Sequence, residues 1–346
     1  MEPVAPIPVR NLYYLLSYAW EHYVAGQVAE LDFEACPDLT NLFAVLLSDG
    51  LRRLLRREAL HQAYLPETET LVTLRGKLVV ADSLKQQTFP RGRAVCQYDE
   101  LSHNVLLNQI LRSTLDQLLT AAELEPTNRR RLLEDRKWLA GITPIPLTST
   151  VFRRLQFSGN TRQYRFLMRL CEFIFGSWLP TEQGRGRFQD CYRDEARMHA
   201  VFEEFVRNFA GRHLKGAKVS AATIQWNGHA LSEEARLLLP RMCTDVTIEY
   251  PARKLILDCK YYRQALVSNQ GQAKLHSSHL YQLFAYLQNK GIEPGWEACG
   301  GMLLYPTVTR SLDCRYELAG HPVRVVTLDL SQPWQTVHCE LLGYLS

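Results

Sequence analysis

The sequence predicts an α/β (α+β) chain in two parts: a mixed helical and β N-terminal domain, residues 1–185, and a C-terminal domain, residues 186–346, ordered helix, strand, strand, helix, strand. Three observations lead there. The chain's 346 residues exceed one average domain, and 46% of them are hydrophobic, enough for two cores. The stretch Leu179-Pro-Thr-Glu-Gln-Gly-Arg-Gly-Arg187 is the strongest boundary signal, with one proline and two glycines in nine residues. Beyond it the apolar period switches between that of a helix and that of a strand.

Residues 11–23 place Leu12, Leu15, Leu16 and Ala19 at helical spacing, the pattern of a core helix. The preceding Met-Glu-Pro-Val-Ala-Pro-Ile-Pro has no basic region and has prolines where an export signal needs an apolar helix. The apolar run Leu42-Phe-Ala-Val-Leu-Leu47 is far short of the roughly 20 residues that span a bilayer. A cytoplasmic protein without membrane contact is expected. Nine cysteines without a C-x-x-C pair suit free thiols in a reducing compartment.

A second helix over 39–64 carries Arg52, Arg53, Arg56 and Arg57. Such a run is ordinarily a solvated face, and otherwise a contact for phosphate or an acidic partner. From 68 to 98 the pattern turns β-like. Strands are expected at 71–74 and 78–81 around Arg75-Gly76-Lys77, and Phe89-Pro-Arg-Gly-Arg93 makes another basic turn. These turns could meet a nucleotide-hydrolysing partner or DNA, or simply be exposed charges. A helix beginning near His103 contains Asn104 and Asn108, the latter read as a cap or brace. A charged helix with Arg129, Arg130 and Arg131 follows, then a Pro-rich break at 143–147 and an amphipathic helix over 162–178.

The C-terminal domain is expected to run as a helix over 194–212, a hairpin, a helix over 277–289, a strand at 300–305, a strand pair over 314–330 and a closing helix after Pro333. In the hairpin, two runs rich in Val, Ile, Thr and Leu flank Pro251 and Ala252, and proline presets the backbone angle for a tight turn. A turn centred there pairs positions whose numbers sum to 503, so Asp245 stands opposite Asp258, with facing side chains roughly 5 Å apart. Alternation puts Lys260 beside Asp258 and sends Val246, Ile248, Leu255, Leu257 and Cys259 to the opposite, apolar face.

Two close carboxylates repel unless a cation lies between them, and a site with few protein oxygens and several waters suits Mg²⁺. A lysine beside them can orient a water or stabilise phosphoryl charge. The plain alternative is a solvated sheet face on which Asp258, Lys260 and Lys254 form weak surface pairs, and a bulge would separate the acids. Downstream, His279-Leu-Tyr-Gln-Leu-Phe-Ala-Tyr-Leu-Gln288 has helical spacing, with Gln282 and Tyr286 one turn apart. Glu203 or Glu204 on the first helix could join the acids or lie exposed. Lys274, His276 and His279 stand near enough to a helix start to meet a phosphate, or are an ordinary polar start.

The set Asp245, Asp258-x-Lys260, Gln282-x-x-x-Tyr286 resembles the PD-(D/E)xK nuclease superfamily, in the branch that adds a Gln-x-x-x-Tyr helix, with Asp258 in place of the usual Glu. More closely, Ile7-Pro-Val-Arg-Asn-Leu-Tyr-Tyr-Leu-Leu-Ser-Tyr-Ala-Trp20, Leu-Leu-Pro-Arg-Met-Cys-Thr-Asp245 and Asp-Cys-Lys-Tyr-Tyr262 resemble the McrC family, the nuclease subunits of McrBC modification-dependent restriction systems. The resemblance spans nearly the whole chain. It implies a restriction-endonuclease-like C-terminal domain in which Asp245, Asp258 and the carbonyl of Cys259 hold Mg²⁺. In that reading Lys260 positions water, and Gln282 and Tyr286 steady the site. It also implies a partner, an McrB-like AAA+ GTPase ring that reads modified cytosine (5-methylcytosine) in double-stranded DNA, is stimulated by the N-terminal domain and drives cleavage. No G-x-x-x-x-G-K-[ST] loop occurs, so GTP is expected on the partner. A net charge of +4 marks no basic lobe, which leaves much of the DNA grip to that partner. Two other readings stay open: a non-catalytic adaptor that only activates the GTPase, and a stand-alone DNA-repair nuclease.

Overall fold

β-branched residues on either side of Pro251 and Ala252 pair as the sequence predicts. In the computed structural model, which describes residues 7–20, 36–57, 59–179, 187–188, 195–261, 266–269, 272–307 and 311–346, Leu257 pairs Val246 and Lys254 pairs Glu249. The turn is closed by Tyr250 N–H donating to Arg253 O at 2.8 Å.

This hairpin belongs to a unit built from α1 (Val9–Ala19), α2 (Glu195–His213), β1 (Lys218–Ser220), β2 (Val246–Glu249), β3 (Lys254–Cys259), α3 (Ser277–Lys290), β4 (Gly300–Thr307), β5 (Asp313–Leu318), β6 (His321–Asp329) and α4 (Trp334–Leu345). The sheet order is β5-β6-β4-β3-β2-β1. Its centre, β3-β4-β6, is parallel and its flanks are antiparallel. Central parallel strands are covered on both faces and read as continuous apolar runs, as in Leu255-Ile-Leu-Asp-Cys259 and Met302-Leu-Leu-Tyr305. α3 covers one face, with Leu283 and Leu287 against Ile256 and Leu303. Gly301 permits the approach: a Cβ there would meet Leu287 Cδ1 at 2.8 Å. α2 packs on β2 and β3.

The expected single cut at 185/186, which itself lies outside the described residues, is not how the contacts divide. The chain separates into residues 39–188 and a discontinuous unit of residues 1–38 with 189–346. α1 therefore sits with the C-terminal elements, because its aromatic face finds its partners there. Tyr14 and Tyr18 pack on Phe205 with ring centroids 5.7 and 5.8 Å apart, and Tyr18 Oη meets His213 Nε2 at 2.6 Å. Asn11 Nδ2 donates to Leu330 O at 2.7 Å.

The other unit, Leu39–Phe188, packs the helices Leu39–Arg57, Leu106–Leu119, Pro126–Trp138 and Tyr164–Gly176 together. It also holds a three-stranded sheet in the order Ala63–Leu71, Ala94–Ser102, Lys77–Leu78. Two expected strands move. The strand placed at 71–74 is instead Ala63–Leu71, mostly exposed, so no apolar alternation marks it. The strand placed at 78–81 stops at Leu78 and gives way to the helix Val80–Lys85. Buried Ser83 turns the chain there, donating to Val79 O at 2.9 Å and accepting from Val95 N at 2.8 Å.

Asn108 is a brace, as expected. Fully buried, it donates to His61 O at 2.9 Å and His103 O at 2.7 Å and accepts from Tyr164 Oη at 2.8 Å. Arg52 of the arginine run pairs with buried Asp135 at 2.8 Å, an internal brace in place of a solvated charge. Arg75 lies over the Tyr98 ring at 3.9 Å and pairs with Glu100 at 3.0 Å. The eight cysteines among the described residues are free thiols, Cys191 lying outside them. Among the described residues no helix is long and apolar enough to cross a membrane.

Candidate active site

β3 ends in Asp258 and Cys259, and Lys260 follows, its main-chain N–H donating to Leu304 O of β4 at 2.9 Å. Asp245 immediately precedes β2, one step past the last ladder pair. Its Oδ2 accepts the Cys259 main-chain N–H at 2.7 Å, so the predicted register carries the two acids to one end of the hairpin. Arg207 of α2 fixes the same residue from the other side, donating to Asp245 O at 3.2 Å.

The acids and the lysine do not lie on a solvated face. Asp258 is 0% exposed and Lys260 7%. Ile256, on the Asp258 side of the strand, is fully buried too, so both faces of β3 are apolar and the polar group occupies only its carboxyl end. The face was expected to be polar, but α3 covers it. Lys260 Nζ donates to Asp258 Oδ1 at 3.0 Å and to Gln282 Oε1 at 3.0 Å. Gln282 Nε2 in turn donates to Tyr286 Oη at 2.7 Å. The four residues form one chain of contacts from the strand end to the helix. Tyr262, at the end of the sequence motif, lies outside the described residues.

Charge is unbalanced here. Burial, then Asp258 and Glu203, push the Asp245 carboxyl up to about 7. Burial also raises Asp258, against the pull of the Lys260 ammonium. For Lys260 itself burial works downward, but the charge and hydrogen bond of Asp258 outweigh it and hold the ammonium form. Asp258 Oδ2 lies 2.9 Å from Nζ yet is buried and accepts no hydrogen bond. Two close carboxylates thus share the single positive charge of Lys260, one Asp258 oxygen lacks a well-directed hydrogen bond and the ionisation of Asp245 is resisted, a donor set that fits a hard divalent cation. Among the described residues no three His, Cys, Asp or Glu side chains gather closely enough to hold an ion. Two carboxylates, a main-chain carbonyl and water are what such a cation would have.

Of the two glutamates considered, Glu203 bears on the site, its charge acting on both Asp245 and Asp258. It pairs with His199, Nδ1 to Oε1 at 2.5 Å, and the carboxylate raises the imidazole's pKa. His199 and Arg207 were not among the expected site residues. Their signal was available, since positions 199, 203 and 207 are four apart and share one face of α2.

Residues 9–306 match the family described as McrBC 5-methylcytosine restriction system component. The Type IV methyl-directed restriction enzyme EcoKMcrBC of Escherichia coli (strain K12) is 34% identical over 339 residues, covering 97% of this chain and 96% of that protein. Among solved structures, the half-complex from a tetradecameric assembly of Thermococcus gammatolerans McrB AAA+ hexamers with bound McrC aligns with a TM-score of 0.56. That alignment has 17% identity and covers 98% of this chain and 76% of that one, a likeness of fold.

Proposed function

The chain belongs to the McrBC 5-methylcytosine restriction system component family, and from that membership we propose that it is the DNA-cleaving subunit of such a system. It hydrolyses phosphodiester bonds in double-stranded DNA containing modified cytosine, in the cytoplasm, with Mg²⁺. Cleavage is driven by an McrB-like AAA+ GTPase ring that binds the GTP and that this chain stimulates.

The observation that carries the reading is the Asp258–Lys260–Gln282–Tyr286 chain of contacts at the end of β3, in which Asp258, Lys260 and Tyr286 are buried, with Asp245 beside it. Asp245, Asp258 and the carbonyl of Cys259 would hold the cation, which when bound supplies positive charge to the phosphoryl oxygens and makes water more acidic. Lys260 places the attacking water and faces the charge that builds on phosphorus. Gln282 fixes the ammonium by accepting one of its protons, and Tyr286 fixes the amide. The enclosure provided by α3 and the sheet keeps these charges in a low dielectric, where they act more strongly than in water. The unit Leu39–Phe188, which carries the Arg75–Lys77 and Phe89–Arg93 turns, is the part that docks on the ring.

The test is cleavage of cytosine-methylated and unmethylated plasmid by this protein with its GTPase partner, GTP and Mg²⁺, following GTP turnover in the same tubes. Wild type cuts only the methylated plasmid, and Lys260→Ala loses cutting while still stimulating GTP hydrolysis. Stimulation without cleavage by either protein would make the chain an adaptor.

A further inference from the structure

Two histidines extend the Gln282–Tyr286 face of α3 toward its N-terminus. His279, Gln282 and Tyr286 are spaced three and four apart on one face of α3, and His276 is the extended residue just before its first turn. α3 lies between β3 and β4, which are parallel neighbours, so it runs back against them and its first turn lies past the carboxyl end of β3. Gln282 is level with Lys260, which it contacts. The histidines therefore stand beyond Lys260, in the crevice outside the strand ends where open α/β sheets take their ligands.

This pair is built. His279 is 6% exposed, and its Nδ1 lies 2.9 Å from Tyr305 Oη on β4. Its ring stacks on His276, centroids 4.6 Å apart and planes 24° from parallel. Burial, then Lys260, hold His279 down to about 4, so it is a neutral platform.

An in-line displacement puts the leaving oxygen on the far side of phosphorus from the attacking water. In the nuclease reading Lys260, held by Asp258, serves the attacking water and so cannot also serve the leaving oxygen. His199 is on α2, tied to Glu203. Resting on the nuclease reading above, we propose that His276 is a further catalytic residue, the proton donor to the departing 3′ oxygen, seated by the positioning residues His279 and Tyr305. The water oxygen bonds to phosphorus and its proton passes to solvent. The P–O3′ bond breaks with its electron pair on O3′, and the His276 ring proton moves to that oxygen. The products are a 5′-phosphate and a 3′-hydroxyl.

The experiment uses the full complex with its GTPase partner, GTP and Mg²⁺ on a modified-cytosine duplex whose principal cut has been mapped. A second duplex carries a bridging 3′-sulfur at that position, because a thiolate leaves without protonation. His276→Asn cuts the oxygen duplex at least about tenfold more slowly than wild type in single turnover, general-acid groups contributing roughly 10²–10⁴-fold. It cuts the sulfur duplex at the wild-type rate. His279→Leu, which removes the stacking ring, gives the same selective defect. An equal defect on both duplexes, or none on the oxygen duplex, overturns the proposal. Failure of wild type to cut the oxygen duplex at all would instead overturn the nuclease reading.

Discussion

The Asp245 carboxylate accepts the main-chain N–H of Cys259 at 2.7 Å. This bond extends the hairpin register beyond its last ladder pair and brings Asp245 to the same strand end as Asp258. A side chain here replaces the next rung of the sheet, so the geometry of the acids is set by backbone pairing and not by flexible loops.

Asp258→Asn keeps the shape of the side chain but removes the charge that faces Lys260. Cleavage of modified plasmid should fall by on the order of 10³-fold or more, since both cation binding and the lysine's counter-charge are lost. Stimulation of the partner's GTP hydrolysis should be unchanged, which a coupled turnover assay reads. Normal cutting by this variant would remove Asp258 from the chemistry.

Gln282→Ala and Tyr286→Phe should differ in degree. Gln282 touches Lys260 directly, whereas Tyr286 Oη touches only Gln282 in this chain of contacts. Losing the amide leaves the ammonium held by Asp258 alone and should slow single-turnover cleavage by roughly 10-fold to 100-fold. Losing the hydroxyl should cost several-fold at most. A larger effect from Tyr286→Phe would place the tyrosine on the substrate.

Asp245 is raised to about 7 by burial, then by Asp258 and Glu203. Between its unfolded value near 4 and this folded value the native chain holds the extra proton, so stability without a cation falls as pH rises through that window, by about 1.4 kcal/mol for each step of one in pH. A divalent cation competes with that proton. The melting-temperature gain from millimolar Mg²⁺ should therefore be larger at pH 8 than at pH 6. In Asp245→Asn the metal-free protein should lose most of this pH dependence, and Mg²⁺ should add little. A gain independent of pH in wild type would argue against a cation at Asp245.

Asn108→Ala should destabilise the unit Leu39–Phe188 by about 1–3 kcal/mol, because His61 O, His103 O and Tyr164 Oη all lose a buried partner. Denaturant unfolding would show this as a lower midpoint. The Lys260 site lies in the other unit, so cleavage at low temperature should survive. Equal stability of mutant and wild type would mean that water replaces the amide.

The helices were legible where apolar spacing was strong. The spans 162–178, 194–212 and 277–289 appear as Tyr164–Gly176, Glu195–His213 and Ser277–Lys290. The three-stranded sheet was poorly placed because its residues are largely exposed on both faces, leaving no alternation to read. His199 and Arg207 share a helix face with Glu203, a spacing the sequence displays, but only the packing of α2 on β2 and β3 shows that this face meets Asp245.

The sequence by itself determined the hairpin register, the pairing of Asp258 with Lys260, the Gln282–Tyr286 helix face and the family. Each is a local matter of turn chemistry, alternation or helical period, or of motifs in order along the chain. Only the tertiary structure decided that α3 buries the polar end of β3, that the charge of Glu203 bears on both acids, and that α1 belongs with the C-terminal sheet. Those outcomes depend on which distant apolar faces meet, as Tyr14 and Tyr18 meet Phe205 across nearly two hundred residues. Burial is the shared cause: the same packing that removes water from Ile256 and Leu283 raises Asp245 and leaves the Asp258 carboxylate with Lys260 as its one ammonium partner.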